Sequence, residues 1–383
     1  MIVLIKSYKR QRIRIMDTIG KAKILGDAAK YDICLSSCIG GGRAKDPKDP
    51  IHKWIYPASL PDGKITHLLK ILLSNECAND CKYCVNRWGR DFQRISFEPE
   101  ELVKLFIELY RKHLVHGLFL SSGIAWGINQ TMEKMITVVE ILRKRARFKG
   151  YIHLKILPGA DFSLIERAAQ LVNRVSLNLE APTQKGLTKI SHKDIKNDIY
   201  QRMKWINDIT STQNLRTSQS TQFVVGASDE SDYELLKTTD WLYHHLKLAR
   251  TYFSAFQPVE NTPLENHPPT PLLREHRLYQ VDFLLRCYGF KFEELKFNPE
   301  GNLPLDLDPK MAFALTNMDK FPLEINKASK EELLRIPGIG PTSAARIIKR
   351  KDKFHTLEEL KGIGVVTKRA SAFILIDGKS PNR

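Results

Sequence analysis

At 383 residues, 42% of them hydrophobic, the chain has room for one large and one small folded domain and is too apolar for extensive disorder. Its 60 Lys and Arg against 43 Asp and Glu leave a charge of +17, which favours polyanions such as nucleic acid, although solubility accounts for part of it. Six cysteines make no disulfide scaffold and no apolar run nears the roughly 20 residues that cross a bilayer, so no membrane is expected and the compartment is a reducing cytoplasm.

Residues 1–15 carry Lys6, Lys9, Arg10, Arg12 and Arg14 after a short apolar start, the wrong order for a signal peptide. They read either as a phosphate-seeking arm or as the product of a misplaced start codon. Asp17-Thr18 is a helix entry, and Lys21 to Tyr31 is helical in character. The loop from Asp32 to Arg43 holds Cys34, Cys38 and three glycines. A mobile loop fits it better than an anion wrap. Cys34, Cys38 and Cys287 total three, not four, for a second cluster; simple burial or a redox role are the alternatives.

The apolar run Leu68–Leu73 reads as a buried strand and opens onto Cys77, Cys81 and Cys84, spaced CxxxCxxC. Three thiolates on one loop can hold three irons of a cubane cluster, and the missing fourth ligand leaves one iron open to an exogenous molecule. A structural zinc site, with Asp80 or a distant His as fourth ligand, and three unrelated buried cysteines are the alternatives. Further strands are predicted at Gly117–Ser121, Tyr151–Leu157, Arg174–Leu179, Thr221–Val225 and Arg250–Phe256. Helices are predicted at Pro99–His113, Gln130–Arg147, Phe162–Leu171, Asp194–Ile209 and Asp232–Leu246. Six βα units imply parallel strands with right-handed crossovers, in a barrel or in a doubly wound sheet.

On the fourth of these strands Ser176, Asn178 and Glu180 share one face. Polar groups in a buried strand need partners, so this face lines a site or makes a hydrogen-bonded strand end. Tyr252 and Phe256 are as well explained as core. Arg143, Lys144, Arg145, Arg147 and Lys149 form a basic helix end, which suits the macrodipole or contacts phosphate. Proline-rich 261–271 reads as a surface linker, 272–288 as a helix and 297–309 as a loop.

From about Leu323 one pattern occurs twice: Leu333 to Lys349 around Gly338-Ile339-Gly340, and Leu357 to Ala370 around Gly362-Ile363-Gly364. The glycines permit a tight turn, and the next helix points its first N–H groups outward as an anion site. Arg346, Lys349, Lys368 and Arg369 on the following helices add charge. The expected divisions are 1–66, 67–260, 261–322 and 323–383.

CxxxCxxC with Tyr83 before the third cysteine resembles the signature of radical S-adenosylmethionine (SAM) enzymes, in which a [4Fe-4S] cluster binds S-adenosyl-L-methionine through its open iron. The resemblance implies an α/β fold, a partial (βα)6 TIM-like barrel with its chemistry at the C-terminal strand ends. It also implies formation of a 5′-deoxyadenosyl radical and an electron donor such as ferredoxin or flavodoxin. On that resemblance Tyr83, the turn Ser121-Ser122-Gly123, the face Ser176, Asn178 and Glu180, and Gly226 contact SAM. The turn departs from the family in offering no carboxylate. The repeated C-terminal pattern resembles a pair of helix-hairpin-helix motifs in a small all-α domain, which implies grip on a DNA backbone; a protein-docking module is the alternative.

The stretches Lys23 to Tyr31, Leu69 to Leu73 and Cys84 to Arg87 are similar to the DNA modification or repair branch of the radical SAM superfamily. This implies action on a DNA base or sugar and a uracil-DNA glycosylase pathway as partner. RNA modification is the second enzyme reading, and a non-enzymatic iron–sulfur DNA-binding module is the reading from a different class.

Overall fold

The computed structural model describes residues 18–29, 54–59 and 65–381; the arm at 1–15, Cys34, Cys38 and the glycine loop lie outside them. The first helix, α1 (Thr18–Ala29), lays Ala22, Leu25 and Ala29 into the core. A Cβ at Gly26 would come within 2.3 Å of the Trp54 ring, so that side must stay bare.

Seven strands form one sheet in chain order: β1 (Ile55–Ser59), β2 (Ile65–Leu72), β3 (Gly117–Ser121), β4 (Tyr151–Lys155), β5 (Arg174–Ser176), β6 (Ser218–Val225) and β7 (Arg250–Ala255). β1 pairs antiparallel with β2, and every later pair is parallel. A sheet whose strand order equals its chain order turns every crossover the same way, and its twist curls it into an open half-barrel. Strand β1 is not evident in the sequence. It is short and carries Pro57, which cannot donate to a ladder and suits only an edge.

The crossovers are α2 (Pro99–Arg111), α3 (Ile128–Glu140), α4 (Phe162–Leu171), α5 (Gln184–Ile190), α6 (Gln201–Thr212), α7 (Asp232–Leu246) and, after β7, α8 (Leu272–Cys287). In α2 the buried side chains Leu102, Leu105, Phe106 and Leu109 recur at helical spacing. Each contributes about 1.5–3 kcal/mol by leaving water. π-helical turns extend α3 (Ile141–Arg145) and introduce α6 (Ile195–Tyr200). The Arg143 side chain in the first of these is spent internally, on the carbonyls of Leu171, Phe148 and Gly150 and on Asn173.

Residues 261–271 are not a loose tether. Thr270 Oγ1 donates to Val225 O (2.7 Å) and His267 Nε2 lies 2.8 Å from Gly226 O, pinning the segment across the end of β6. Beyond it, α9 (Pro309–Thr316) leads to β8 (Leu323–Glu324), α10 (Lys330–Arg335), α11 (Pro341–Lys349), α12 (Leu357–Gly362), α13 (Thr367–Ala370) and β9 (Ile374–Leu375). This helical module is closed by a two-residue parallel pairing of β8 with β9. Its core of Leu333, Ile336, Ile339, Ala344, Leu360 and Ala370 also takes in Leu284, Phe290 and Phe313 from upstream. Among the described residues no helix is long and apolar enough to cross a membrane.

Candidate functional site

The cysteine loop leaves the C-terminal end of β2 and is stitched down on three sides. Gly123 N donates to Ser74 O (2.7 Å) and Ala78 N to Ile124 O (2.8 Å), joining it to the turn after β3. A Cβ at Gly123 would stand 2.2 Å from Glu76 O, so only glycine allows this approach. On another side Lys82 N donates to Ile190 O (2.9 Å), and Ser191 Oγ lies 3.5 Å from Cys81 Sγ. From below, the Arg94 guanidinium donates to the carbonyls of Arg87 (2.8 Å), Trp88 (3.1 Å) and Arg90 (3.0 Å), and more weakly to those of Asn75 and Asn86. Five carbonyls on one planar fork fix the loop's path.

The loop forms one wall of a cavity of about 560 Å³ at the C-terminal mouth of the half-barrel. Cys77, Cys81 and Cys84, all free thiols, line it together with Tyr83, Ser121, Ser122, Gly123, Asn178 and Glu180. Two expected contacts fall elsewhere. Ser176 lies deeper in the barrel, its Oγ 2.8 Å from His153 Nε2, and Gly226 packs under Thr270; neither lines the cavity. Tyr252 is likewise off the wall and accepts a hydrogen bond from Arg174, while Cys287 is exposed at the end of α8.

Asn86, Lys155, Lys193, Gln222 and Gln257 also line the cavity and were not singled out in the sequence. Gln222 and Lys155 follow the strand alternation and were legible in principle. Lys193 lies between α5 and α6 in a stretch without periodicity. Its ammonium pairs with Glu180 Oε1 at 3.3 Å, both side chains nearly buried. Burial works against the Lys193 charge, but Cys81 and Glu180 more than offset it and hold the ammonium above the ordinary lysine range.

Burial, followed by Glu180, keeps the Tyr83 phenol protonated. Burial, followed by Cys81, pushes the Cys84 thiol up to about 12. The Cys84 thiol therefore resists ionising, a resistance that a soft cationic metal group offsets.

The donor set fits an iron–sulfur cluster better than a single ion. Among the described residues no group of three or more His, Cys, Asp or Glu side chains could hold one metal ion. Asp80, one candidate for a fourth zinc ligand, is occupied by Arg87 and by Gly89 N. Glu180 Oε2 and Asn86 Oδ1 are buried without a hydrogen-bond partner among the described residues, and both residues line the cavity. Buried acceptors of this kind call for a polar ligand. Glu180 is also held at φ +68, a strained left-handed backbone for a side chain of this size.

A second hollow, about 480 Å³, lies between the C-terminal hairpins and α8–α9. Gly338, Ile339, Gly340, Gly364 and Arg369 line it; Gly362, Ile363, Arg346, Lys349 and Lys368 do not. The two Gly-Ile-Gly triplets are not structural equivalents. Gly338 turns at φ +87 and α11 begins at Pro341. In the second copy Gly362 is still helical, the turn is Gly364 at φ +90, and α13 begins at Thr367. Ile339 and Val365 then fill matching core positions, as do Ala344 and Ala370. Lys349 ends α11, about 12 Å from its N-terminus at 1.5 Å per residue, too far to share a phosphate there. Arg346 donates to Ile363 O (3.0 Å), and Arg369 pairs with Asp308.

Residues 71–242 match the radical SAM superfamily and residues 320–371 match the helix-hairpin-helix motif. A search of curated proteins found no match. Among solved structures the chain is similar to the [FeFe]-hydrogenase maturase HydG from Carboxydothermus hydrogenoformans, at 15% identity and a TM-score of 0.46, covering 56% of this chain and 50% of that one. It is similar to methylornithine synthase at 14% identity and a TM-score of 0.45, covering 55% and 59%. It is also similar to a radical SAM methyltransferase from Sphaerobacter thermophilus at 14% identity and a TM-score of 0.43, covering 68% and 84%. The chain thus spans about half the length of HydG. It carries a radical SAM superfamily domain, of the kind that works with a [4Fe-4S] cluster and SAM, followed by a helix-hairpin-helix motif.

Proposed function

We propose that this protein is a radical SAM enzyme that acts on a base or sugar of DNA. The observation that carries the enzyme reading is the convergence of three free thiols, the Ser121–Gly123 turn, Asn178 and Glu180 on one cavity. Cys77, Cys81 and Cys84 would hold the cluster, and Tyr83, the turn, Asn178 and Glu180 would seat SAM. With a ferredoxin- or flavodoxin-type electron donor, a cluster and SAM bound there would supply the chemistry of hydrogen-atom abstraction from the substrate.

The chain's own residues do the positioning. Arg94 and Gly123 hold the thiols in place, Lys193 compensates the Glu180 carboxylate, and the half-barrel wall around Leu157, Val224 and Phe256 limits access of water. The DNA half of the reading rests on the paired hairpins, whose grip on phosphate positions a strand without reading its bases. A base inside a duplex is shielded, so a flipped, damaged or single-stranded nucleotide is the target. A uracil-DNA glycosylase pathway is the proposed context. Phosphate contacts are indifferent to the sugar, so RNA is the competing substrate, and DNA-against-RNA competition at one salt concentration separates the two.

The enzyme reading is tested anaerobically: protein reconstituted with iron and sulfide is reduced, given SAM and assayed for 5′-deoxyadenosine. Product that disappears in the Cys77, Cys81 and Cys84 triple alanine variant supports it. No product from a fully loaded, reducible protein would leave a DNA-binding iron–sulfur module.

A further inference from the structure

The hollow beside the hairpins is more than the exposed face a backbone clamp needs. One wall is the first turn of α11, where Gly340 supplies no side-chain cap, Pro341 has no N–H and Ala344 N donates to Gly340 O, so the N–H groups of Thr342 and Ser343 are the donors left without an intrahelical partner. Next to it stands Lys310, only 8% exposed, whose Nζ donates to Ile339 O and lies 4.8 Å from the centre of the Tyr288 ring. The neighbouring Arg369 and Asp308 pair with each other, so Lys310, when protonated, is the cation that leaves the hollow net positive. Burial, followed by Arg369, pulls this ammonium down to about 7, and an anion placed beside it would relieve that. Two aromatic rings also line the hollow. Phe283 is 47% exposed on α8, and the Tyr288 hydroxyl stands 3.4 Å from where a Cβ at Gly340 would be. Anion donors, a cation and an exposed aromatic ring thus face one space of about 480 Å³, within the range of pockets that hold small molecules.

Resting on the DNA reading above, we propose that this cleft seats one nucleotide of a single DNA strand, with its phosphate at the N-terminus of α11 beside Lys310 and its base against Phe283. In a duplex the bases are paired and stacked away from the phosphate that meets the protein, so a duplex can touch the hairpins but cannot fill the aromatic wall. A single strand can turn a base toward it, and base–aromatic stacking of this kind is indifferent to sequence.

The test uses the full-length protein and fluorescence anisotropy at one salt concentration, with three probes of equal length: an oligothymidylate, a duplex and an abasic strand. The oligothymidylate should bind most tightly. Phe283→Ala, at an exposed position, should weaken its binding about tenfold and that of the abasic strand much less. Lys310→Gln should weaken both single strands alike and reduce the salt dependence by about one charge. Unchanged oligothymidylate affinity in Phe283→Ala, or wild-type binding to duplex at least as tight as to the strand, would overturn the cleft and leave the hairpin clamp standing. Failure of the wild type to bind any of the three would remove both.

Discussion

The cavity at the mouth of the half-barrel and the cleft beside the hairpins are similar in volume, about 560 and 480 Å³, but they are built from different parts of the chain. The first presents side chains: three thiols, a phenol, an amide and a carboxylate neutralised by Lys193. The second presents backbone, the first turn of α11 and two left-handed glycines, with Lys310 and Phe283 added from outside the hairpins. A site made of side chains fails when an atom is removed. One made of backbone fails when an atom is added.

The largest expected effect breaks the two sites apart. Alanine at Cys77, Cys81 and Cys84 together should abolish iron binding and SAM cleavage while DNA affinity stays within about twofold, because Phe283 and α11 contribute nothing to the thiol loop. Loss of both would mean that the cleft depends on the cluster.

Adding an atom to the cleft comes next. Gly338→Val would put a Cβ 2.5 Å from Val366 O at φ +87, where a β-branched residue is strained. Anisotropy should show DNA affinity falling more than tenfold, with DNA-independent SAM cleavage retained. At Gly362 a Cβ meets nothing within 4 Å and the backbone is helical. Gly362→Ala should therefore leave binding unchanged and stabilise by about 0.4–1 kcal/mol in denaturant unfolding. Equal loss at both glycines would contradict the shifted register of the second hairpin.

Removing Lys193 tests the other rule. Lys193→Met leaves the Glu180 carboxylate buried and alone, and breaking a buried pair in this way typically destabilises by about 3–5 kcal/mol. An unfolding midpoint indistinguishable from wild type would show that the pair is dispensable.

A further expected effect is a pH dependence at Lys310. Its ammonium titrates at about 7 when folded, well below the ordinary lysine value, so between pH 7 and about 10 the unfolded chain binds more protons. Stability from this group therefore rises with pH across that window and is flat below it. The ionisable groups that face it are Arg369, Asp308, Arg335 and the Tyr288 phenol. The stability advantage of Lys310→Met over wild type should be largest near pH 6–7 and shrink toward pH 10 in thermal unfolding. A constant advantage would mean that Lys310 is not held neutral by burial.

Much of the barrel is legible in the sequence because its strands are short apolar runs and its helices have one apolar face; α2 and α4 lie almost where periodicity puts them. The edge strand β1 hides behind Pro57, and α5 is too short to show a period. At the cavity, CxxxCxxC marks its own position; Asn178 and Glu180 reach the cavity too, although β5 ends at Ser176, short of the predicted Leu179, and they follow it outside the strand. Ser176 obeys the same alternation but lies deeper, where His153 meets it, since alternation fixes a face and not a depth. Arg94 and Lys193 carry no local signal, because their partners are carbonyls and a carboxylate reached only through the fold. The second hairpin misleads for a related reason. A repeated Gly-Ile-Gly specifies flexibility, and packing of Val365 and Ala370 decides which glycine turns.

The central claim joins the two sites, and one measurement addresses that join. The reconstituted, reduced enzyme is given SAM and a uniformly deuterated single-stranded DNA, and the 5′-deoxyadenosine formed is analysed by mass spectrometry. The account predicts deuterium in that product, dependent on Cys77, Cys81 and Cys84 and reduced in Phe283→Ala. Undeuterated 5′-deoxyadenosine, formed at the same rate with and without DNA, would contradict it.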